Sequence, residues 1–232
     1  MRCGAGRNPG SSVYNGKGMM KTIVYIDGFN LHYGLLRETR FLWLDLEKLV
    51  QVLLTDKYEV QKIKYFTARI RSNRFSVISP HDQSCYLDAL SSIPRIKIIE
   101  GYYRMFRAKL PFAKEPCTSC GKVKYATVWK TEEKKSDVNL AVEMVSDAYE
   151  DNADAFVLVS GDADHSAALS VARHLHRRTT VVFNPHEGEC AELRRFSTFY
   201  KNIPRDLPAR CQLPDVVPLP NGRTVHRPPA WR

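Results

Sequence analysis

The amino-acid sequence predicts an α/β protein built on a central, mostly parallel sheet of about five strands. Short apolar runs rich in β-forming residues alternate with segments whose apolar residues have helical spacing. This alternation is typical of parallel sheets covered by helices. Acidic residues directly follow two of the apolar runs, and a basic, aromatic segment interrupts the alternation at 101–135. With 232 residues, the chain is long enough for one such domain with a full core.

The elements follow one another in a regular order. The predicted strands are the apolar runs at 22–26, 60–68, 96–99, 154–159 and 180–183. Helical spacing predicts helices over 31–36, 44–54, 80–90, from 136 onward, over 166–175 and over 189–200. The segment at 101–135 is longer than an ordinary connection between a helix and a strand, and inserts of this length are commonly functional. We expect it to form a β-rich basic insert.

Composition divides the chain into one domain and two tails. Residues 21–203 contain the alternating pattern, whereas 1–20 are rich in Gly, Ser and Asn, and 204–232 are rich in Pro and Arg. Both ends are therefore expected to be flexible. No run reaches the roughly 18 apolar residues that span a bilayer, and 1–18 lack the apolar core of a signal peptide. A cytoplasmic protein without a membrane segment is expected, and its oligomeric state is left open.

The net charge of +10 is concentrated in the insert and at the two ends. The insert carries nine Lys or Arg residues and three Glu, a net charge of +6, interleaved with six aromatic residues. Cations among aromatic rings suit single-stranded RNA, whose bases stack while its phosphates pair with the cations. A β-hairpin whose aromatic residues pack against the sheet explains the same pattern, and both readings stay open. The candidate RNA-contacting residues are Arg69, Arg71, Lys122, Lys124, Trp129, Lys130 and Lys135.

Four acidic residues are placed where a parallel sheet collects ligands. Asp27 ends the first strand, and Asp162 and Asp164 follow the strand at 154–159. Ligands lie beyond the carboxyl ends of parallel strands, so these acids are expected at one edge. Asp137 lies in the first turn of the next helix. Two simpler interpretations remain, since Asp27 also fits a turn and Asp137 also fits the positive end of a helix.

Cys117 and Cys120 have the spacing of a zinc knuckle. A structural zinc site needs four ligands, and no second close pair follows. Free thiols or a half-site are therefore favoured over a bound zinc ion at Cys117 and Cys120.

Three segments in order resemble the NYN family of PIN-like ribonuclease domains, especially its LabA-like (DUF88) branch. They are YIDGFN at 25–30, KSDVNLA at 135–141 and VSGDAD at 159–164. The resemblance implies a Rossmann-like, three-layer sandwich that hydrolyses RNA with Mg²⁺ or Mn²⁺. It assigns catalysis and metal binding to Asp27, Asp137, Asp162 and Asp164, with Asn30 and Ser160 as polar supports. His165 stands where the family often has Phe, and the sequence does not make it a catalytic base.

The chemistry of phosphodiester hydrolysis agrees with these acids. Such a reaction needs charge neutralisation on the phosphate oxygens and an activated water, and a carboxylate-held Mg²⁺ provides both. Oxygen ligands without a His- or Cys-rich set favour Mg²⁺ or Mn²⁺ over zinc. The first alternative is a non-catalytic RNA-binding module with the same fold.

A second alternative is an enzyme of another class with an Asp-x-Asp pair, such as a sugar-nucleotide transferase. It gives no role to Asp27 and Asp137. A dehalogenase-type phosphatase needs a second acid at position 29, where this chain has Phe29. A Gly-rich dinucleotide loop is absent as well, since Gly28 stands alone after the first strand.

Overall fold

The computed structural model describes residues 18–70, 79–113 and 120–232. Its centre is a seven-stranded sheet with the order β4-β3-β2-β1-β5-β6-β7. All neighbouring strands are parallel except the antiparallel pair β3 and β4. The predicted α/β class and mostly parallel sheet are confirmed, although the sheet has seven strands rather than about five. The strands are β1 Met20–Asp27, β2 Tyr58–Arg69, β3 Ile96–Pro111, β4 Tyr125–Lys134, β5 Ala155–Val159, β6 Thr179–Asn184 and β7 Phe199–Asn202, with a separate antiparallel pair β8 Val216–Pro218 and β9 Thr224–His226.

Helices cover both faces of the sheet and make the predicted three-layer sandwich. One apolar cluster joins the sheet to α1–α3, and a second joins it to α4–α6. Side chains of β1 alternate between them, with Val24 and Ile26 in the first and Ile23 and Tyr25 in the second. In the described part of the chain, no helix has both the length and the apolar character needed to cross a bilayer. The helices are α1 Gly28–Leu31, α2 Leu46–Leu53, α3 Pro80–Ser91, α4 Ser136–Tyr149, α5 Ser166–Ser170, α6 Ala191–Phe196 and α7 Leu207–Arg210.

The chain reverses its direction across the sheet between β1 and β5. From β1 it adds β2 and β3 on one side, and from β5 it adds β6 and β7 on the other. The two central strands are parallel, with Ile26 of β1 opposite Val159 of β5. Their carboxyl ends therefore share one edge, at the topological switch point where α/β sheets bind ligands. Asp27 is the last residue of β1, and Ser160 directly follows β5.

The basic insert is a two-stranded extension of the sheet, as expected for a β-rich segment. β3 continues far beyond the predicted run at 96–99 and pairs with β4 from Tyr102 opposite Lys134 to Pro111 opposite Tyr125. Several aromatic side chains of this extension are exposed, Trp129 by 52% and Tyr125 by 54%. The alternative in which the hairpin buries its aromatic residues against the sheet therefore does not describe these two rings.

The predicted helix at 189–200 is wrong in its second half. α6 ends at Phe196, and β7 then pairs in parallel with β6. The backbone N–H of Thr198 donates to the carbonyl oxygen of Thr180 at 2.7 Å, which starts this pairing. A strand of four residues has too little periodicity to be separated from a preceding helix by pattern alone.

The prediction of a flexible tail at 204–232 is also corrected. Leu207, Leu213 and Trp231 are buried in the cluster that α1–α3 share with the sheet. Trp43 donates its indole N–H to the carbonyl oxygen of Pro214 at 2.8 Å, and its ring lies 6.2 Å from that of Trp231. The high Pro and Arg content of the segment predicted flexibility, but its few, widely spaced apolar residues pack into the core.

A buried ionic network fixes α4 against the sheet. The ammonium group of Lys64, on β2, is ion-paired with Glu143 and Asp147 of α4, and the Tyr25 hydroxyl donates to Asp147. Lys64 is only 4% exposed. A buried charge is costly unless it is paired, so this network favours one placement of α4. The start of α4, with Asp137, is thereby held near the end of β1.

The packing of the C-terminal segment predicts a large stability loss for Trp231→Ala. Removal of a buried indole is expected to reduce the free energy of unfolding by about 3 to 5 kcal/mol. Chemical denaturation of both proteins measures this difference. Arg232→Ala is the matched control, because that neighbouring side chain is exposed. A Trp231→Ala protein as stable as the parent would contradict the packed segment.

Candidate metal centre at the switch point

Asp27 is the buried carboxylate around which the site is built. Its Oδ1 accepts the backbone N–H of Asn30 at 2.9 Å, and its Oδ2 accepts the Ser160 hydroxyl at 3.0 Å. The turn after Asp27 is tight, because a Cβ at Gly28 would lie 2.6 Å from the carbonyl oxygen of Phe66. A residue other than glycine would force the turn away from β2. The carboxylate is thus both a helix cap and a fixed group at the switch point.

Asn30 and Ser160 join the turn after β1 to the turn after β5. The side-chain carbonyl of Asn30 accepts the N–H of Gly161 at 2.6 Å, and the Ser160 Oγ accepts the N–H of Asp162 at 3.1 Å. Both residues were predicted as polar supports. Their contacts keep the ends of β1 and β5 at a fixed spacing.

His165 is the residue of the site that sequence reasoning missed. Its ring is 1% exposed, with Nε2 at 3.2 Å from Oδ2 of Asp27. Burial alone lowers the pKa of His165, but the hydrogen bond to Asp27 and the charges of Asp27, Asp137 and Asp162 outweigh it and raise the pKa above its usual value. The sequence feature that could have pointed to His165 was its position in the short turn, directly after Asp164.

Asp137 approaches the same point from the other side. It lies in the first turn of α4, and the backbone N–H of the preceding Ser136 donates to Glu133 at 3.2 Å. Partial burial, followed by the negative charge of Asp27, raises the pKa of Asp137. Ligand atoms of Asp27, Asp137 and His165 all lie within 4.8 Å of one another. Sequence elements 138 residues apart thus meet in one group.

Asp162 and Asp164 lie at the edge of this group. The charge of Asp162 reaches Asp137 and His165, while its Oδ1 accepts the backbone N–H of Asp164 at 3.0 Å. The Asp164 side chain is exposed. Among the described residues, the group within 4.8 Å contains neither of the two. The structure therefore brings together two of the four predicted acids and adds a histidine.

The three side chains fit a divalent cation. Partial burial and then the charge of Asp27 raise the pKa of Asp137, which means that the two carboxylates repel each other unless a positive charge lies between them. Asp27 Oδ2 and His165 Nε2 are a hydrogen-bonded pair 3.2 Å apart, and once the proton between them is lost this spacing suits neighbouring ligands of an ion with bonds of about 2.1 Å. His165 Nδ1 is buried and has no hydrogen-bond partner among the described residues. The three side chains together offer a mixed oxygen and nitrogen set of the kind that divalent metal ions bind.

A large cavity lies directly beside the group. Its volume is about 910 Å³, and its wall includes Gly28, next to Asp27, together with Tyr65. Burial raises the pKa of Tyr65 to about 12. Six aromatic side chains line the cavity: Phe29, Tyr33, Tyr65, Tyr86, Tyr103 and Trp231. The cavity wall thus comes within one residue of Asp27 along the chain, although Asp27, Asp137 and His165 are not among its lining residues.

The NYN domain model matches residues 21–201 of this chain, a region that includes the whole seven-stranded sheet apart from the first and last strand residues. The chain belongs to the NYN domain family. Its fold therefore falls within the PIN-like superfamily, as the three sequence segments indicated.

Two further comparisons place this NYN protein among known chains. It is 34% identical to 6-hydroxy-3-succinoylpyridine 3-monooxygenase HspA of Pseudomonas putida, over 91% of this chain and 75% of that protein. It resembles the crystal structure of a protein of unknown function from Vibrio parahaemolyticus, with a TM-score of 0.51, 16% identity, and coverage of 86% of this chain and 99% of the other. The second likeness concerns the fold alone.

Two of the predicted RNA-contacting residues of the NYN protein are held in ion pairs. Arg69 is ion-paired with Glu100 at 2.9 Å, and Lys130 with Glu132 at 2.6 Å. Arg71 and Cys117 lie outside the described residues, and Cys120 is an exposed free cysteine. The remaining candidates are exposed side chains of the insert: Lys122, Lys124, Trp129 and Lys135.

The geometry of the NYN site predicts that Mn²⁺ stabilises the protein and that Asp137→Asn removes this effect. Mn²⁺ at about 100 times its Kd is expected to raise the melting temperature by roughly 5 °C. Calorimetric melting with and without Mn²⁺ measures the shift. The control Asp164→Asn should keep most of it. Equal shifts in both variants would contradict binding at Asp137.

Proposed function

We propose that this NYN protein is a metal-dependent nuclease that hydrolyses RNA phosphodiester bonds. The observation that supports this best is the group of Asp27, Asp137 and His165, whose ligand atoms lie within 4.8 Å of one another at the switch point. Two carboxylates in such proximity are unfavourable unless a cation lies between them. The family, whose members generally act as nucleases, supplies the reaction class.

In this proposal the three grouped side chains hold one Mn²⁺ or Mg²⁺. When bound, the ion neutralises charge on the phosphate oxygens and lowers the pKa of a water. Asp27 is kept in place by Asn30 and Ser160, which orient its carboxylate. Asp162 adds negative charge at the edge, where it orients a water or favours the ion. Asp164 is proposed to act from the exposed rim.

The protein surface around the site supports RNA as the substrate. The insert ends beside Asp137, since β4 ends at Lys134 and α4 starts at Ser136. Its exposed cations and rings therefore lead away from the candidate metal group. Single-stranded RNA is favoured, because exposed aromatic rings stack on bases that are not paired. The candidates Lys122, Lys124, Trp129, Lys130, Lys135, Arg69 and Arg71 are proposed contacts.

The proposal predicts Mn²⁺-dependent cleavage of a single-stranded RNA that Asp137→Asn lowers roughly 100-fold or more. The substitution removes one charged ligand at an exposed position, so the fold is expected to persist. Gel analysis of end-labelled RNA with Mn²⁺, and with a chelator, measures the rate. Asp164→Asn, a carboxylate change outside the group, should reduce it much less. Chelator-resistant cleavage, or full activity in Asp137→Asn, would contradict the nuclease assignment. RNA binding without any cleavage would favour the non-catalytic module.

A second candidate function is supported by the aromatic cavity and by one relative. HspA of Pseudomonas putida is named for a reaction on a substituted pyridine. The cavity here is large enough for such a molecule, as ligand sites usually measure about 300 to 1,000 Å³. Its six rings offer stacking partners for a planar heteroaromatic compound. We therefore propose binding of a small hydroxypyridine as the alternative activity of this chain.

The alternative predicts saturable binding of 6-hydroxypyridine-3-carboxylate, observed as quenching of tryptophan fluorescence. Tyr103→Ala should weaken it about tenfold, because Tyr103 lines the cavity and packs edge-to-face on Phe29. Tyr102→Ala is the matched control, since this neighbouring ring is exposed and lies outside the cavity lining. Failure of the probe to saturate, or equal weakening by both substitutions, would remove the small-molecule function.

A further inference from the structure

The two-stranded extension of the sheet has two chemically different faces. We call it the arm, formed by residues 102–111 of β3 and by β4. Side chains alternate along a strand, and directly opposed residues of antiparallel strands share a face. Tyr103, Met105 and Thr131 line the cavity, so they define the cavity face of the arm. Arg104 and Phe106 then belong to the opposite face.

The cavity face continues outward as a row of rings and cations. Beyond Met105, the guanidinium of Arg107 lies 5.0 Å from the ring centre of Trp129, which is its cross-strand partner. Further out, the ammonium of Lys109 lies 5.5 Å from the ring centre of Tyr125. Both rings are more than half exposed. The row extends from the cavity wall to the outer end of the paired strands.

The two faces also differ in how their cations are paired. On the opposite face, Glu132 is ion-paired with Lys130 at 2.6 Å and with Lys134 at 2.8 Å. On the cavity face, Arg107 and Lys109 have no carboxylate within ion-pair distance in the part of the chain that the structure describes. Their charge is therefore available to a polyanion, whereas Lys130 and Lys134 must first leave Glu132.

We propose that a single strand of RNA lies along the cavity face of the arm, with bases stacked on Trp129 and Tyr125 and phosphates paired with Arg107 and Lys109. This inference rests on the proposed action on RNA. It adds a direction, because the cavity face runs from the outer end of the arm to the cavity wall that includes Gly28, next to Asp27. Stacking on an exposed ring requires an unpaired base, so duplex RNA does not fit this face.

Matched pairs of substitutions separate the two faces. On the opposite face, Arg104 lies 5.4 Å from the ring centre of Phe106 on the same strand, a spacing close to the 5.0 Å between Arg107 and Trp129. The experiment measures binding of a fluorescent single-stranded oligouridylate to the full chain with a chelator present. Trp129→Ala is expected to raise the Kd about tenfold, and Arg107→Ala to reduce the salt slope by about one. Phe106→Ala and Arg104→Ala should change neither value appreciably.

Arg104, Arg107 and Trp129 are exposed and Phe106 is half-buried. Trp129→Phe serves as the check on stacking. This variant keeps a ring and should retain most of the affinity, and melting temperatures of all variants should match the parent. Equal losses on both faces, losses only at Phe106 and Arg104, or unchanged binding by Trp129→Ala would each overturn the inference. The chelator prevents metal-dependent cleavage, so the assay measures binding alone. Binding with the predicted pattern therefore supports this inference even if the protein cleaves no RNA. If Trp129→Ala leaves the rate of RNA cleavage unchanged, this inference is wrong while the proposed nuclease activity still stands.

Discussion

A buried carboxylate at the point where the sheet reverses its order is the constraint on which the site depends. Asp27 cannot be buried cheaply without partners, and the structure supplies the Asn30 amide, the Ser160 hydroxyl and the His165 ring. Asn30 comes from the connection after β1, and Ser160 and His165 come from the connection after β5. The cost of leaving that carboxylate unpaired therefore favours one arrangement of the ends of β1 and β5 and of the turn that carries His165.

The second acid of the group is positioned by packing on a different part of the domain. Asp137 owes its place to α4, which the paired charges of Lys64, Glu143 and Asp147 hold against β1 and β2. Its raised pKa follows from partial burial and from the nearby Asp27. A site assembled in this way has negative charge before any ligand arrives, and this property is what makes a divalent cation its natural complement.

The sequence was informative where a residue's role follows from its position after a strand. Asp27 could be placed because an apolar run ends directly before it, and the order of strands and helices followed from periodicity. Asn30 and Ser160 were assigned as polar supports by the resemblance to the NYN family. His165 could not be placed, since a lone histidine in a turn has no pattern that distinguishes a buried ring. The packing of 204–232 could not be predicted from the sequence either, because Leu207 and Trp231 contact residues far away in the sequence.

The insert also shows a feature that the sequence alone does not predict. Its composition indicated a polyanion-binding segment, but composition does not separate Trp129 from Lys130. Strand pairing places them on opposite faces, and Lys130 is already paired with Glu132. Register decides which cations are available, and register depends on cross-strand pairing that composition does not contain.

The most direct test of the central claim is a crystal grown with Mn²⁺ and measured at the manganese absorption edge. An anomalous peak between the carboxylates of Asp27 and Asp137 and the ring of His165 is predicted. A map in which manganese binds only elsewhere, or not at all at millimolar concentration, would contradict a metal centre at the switch point.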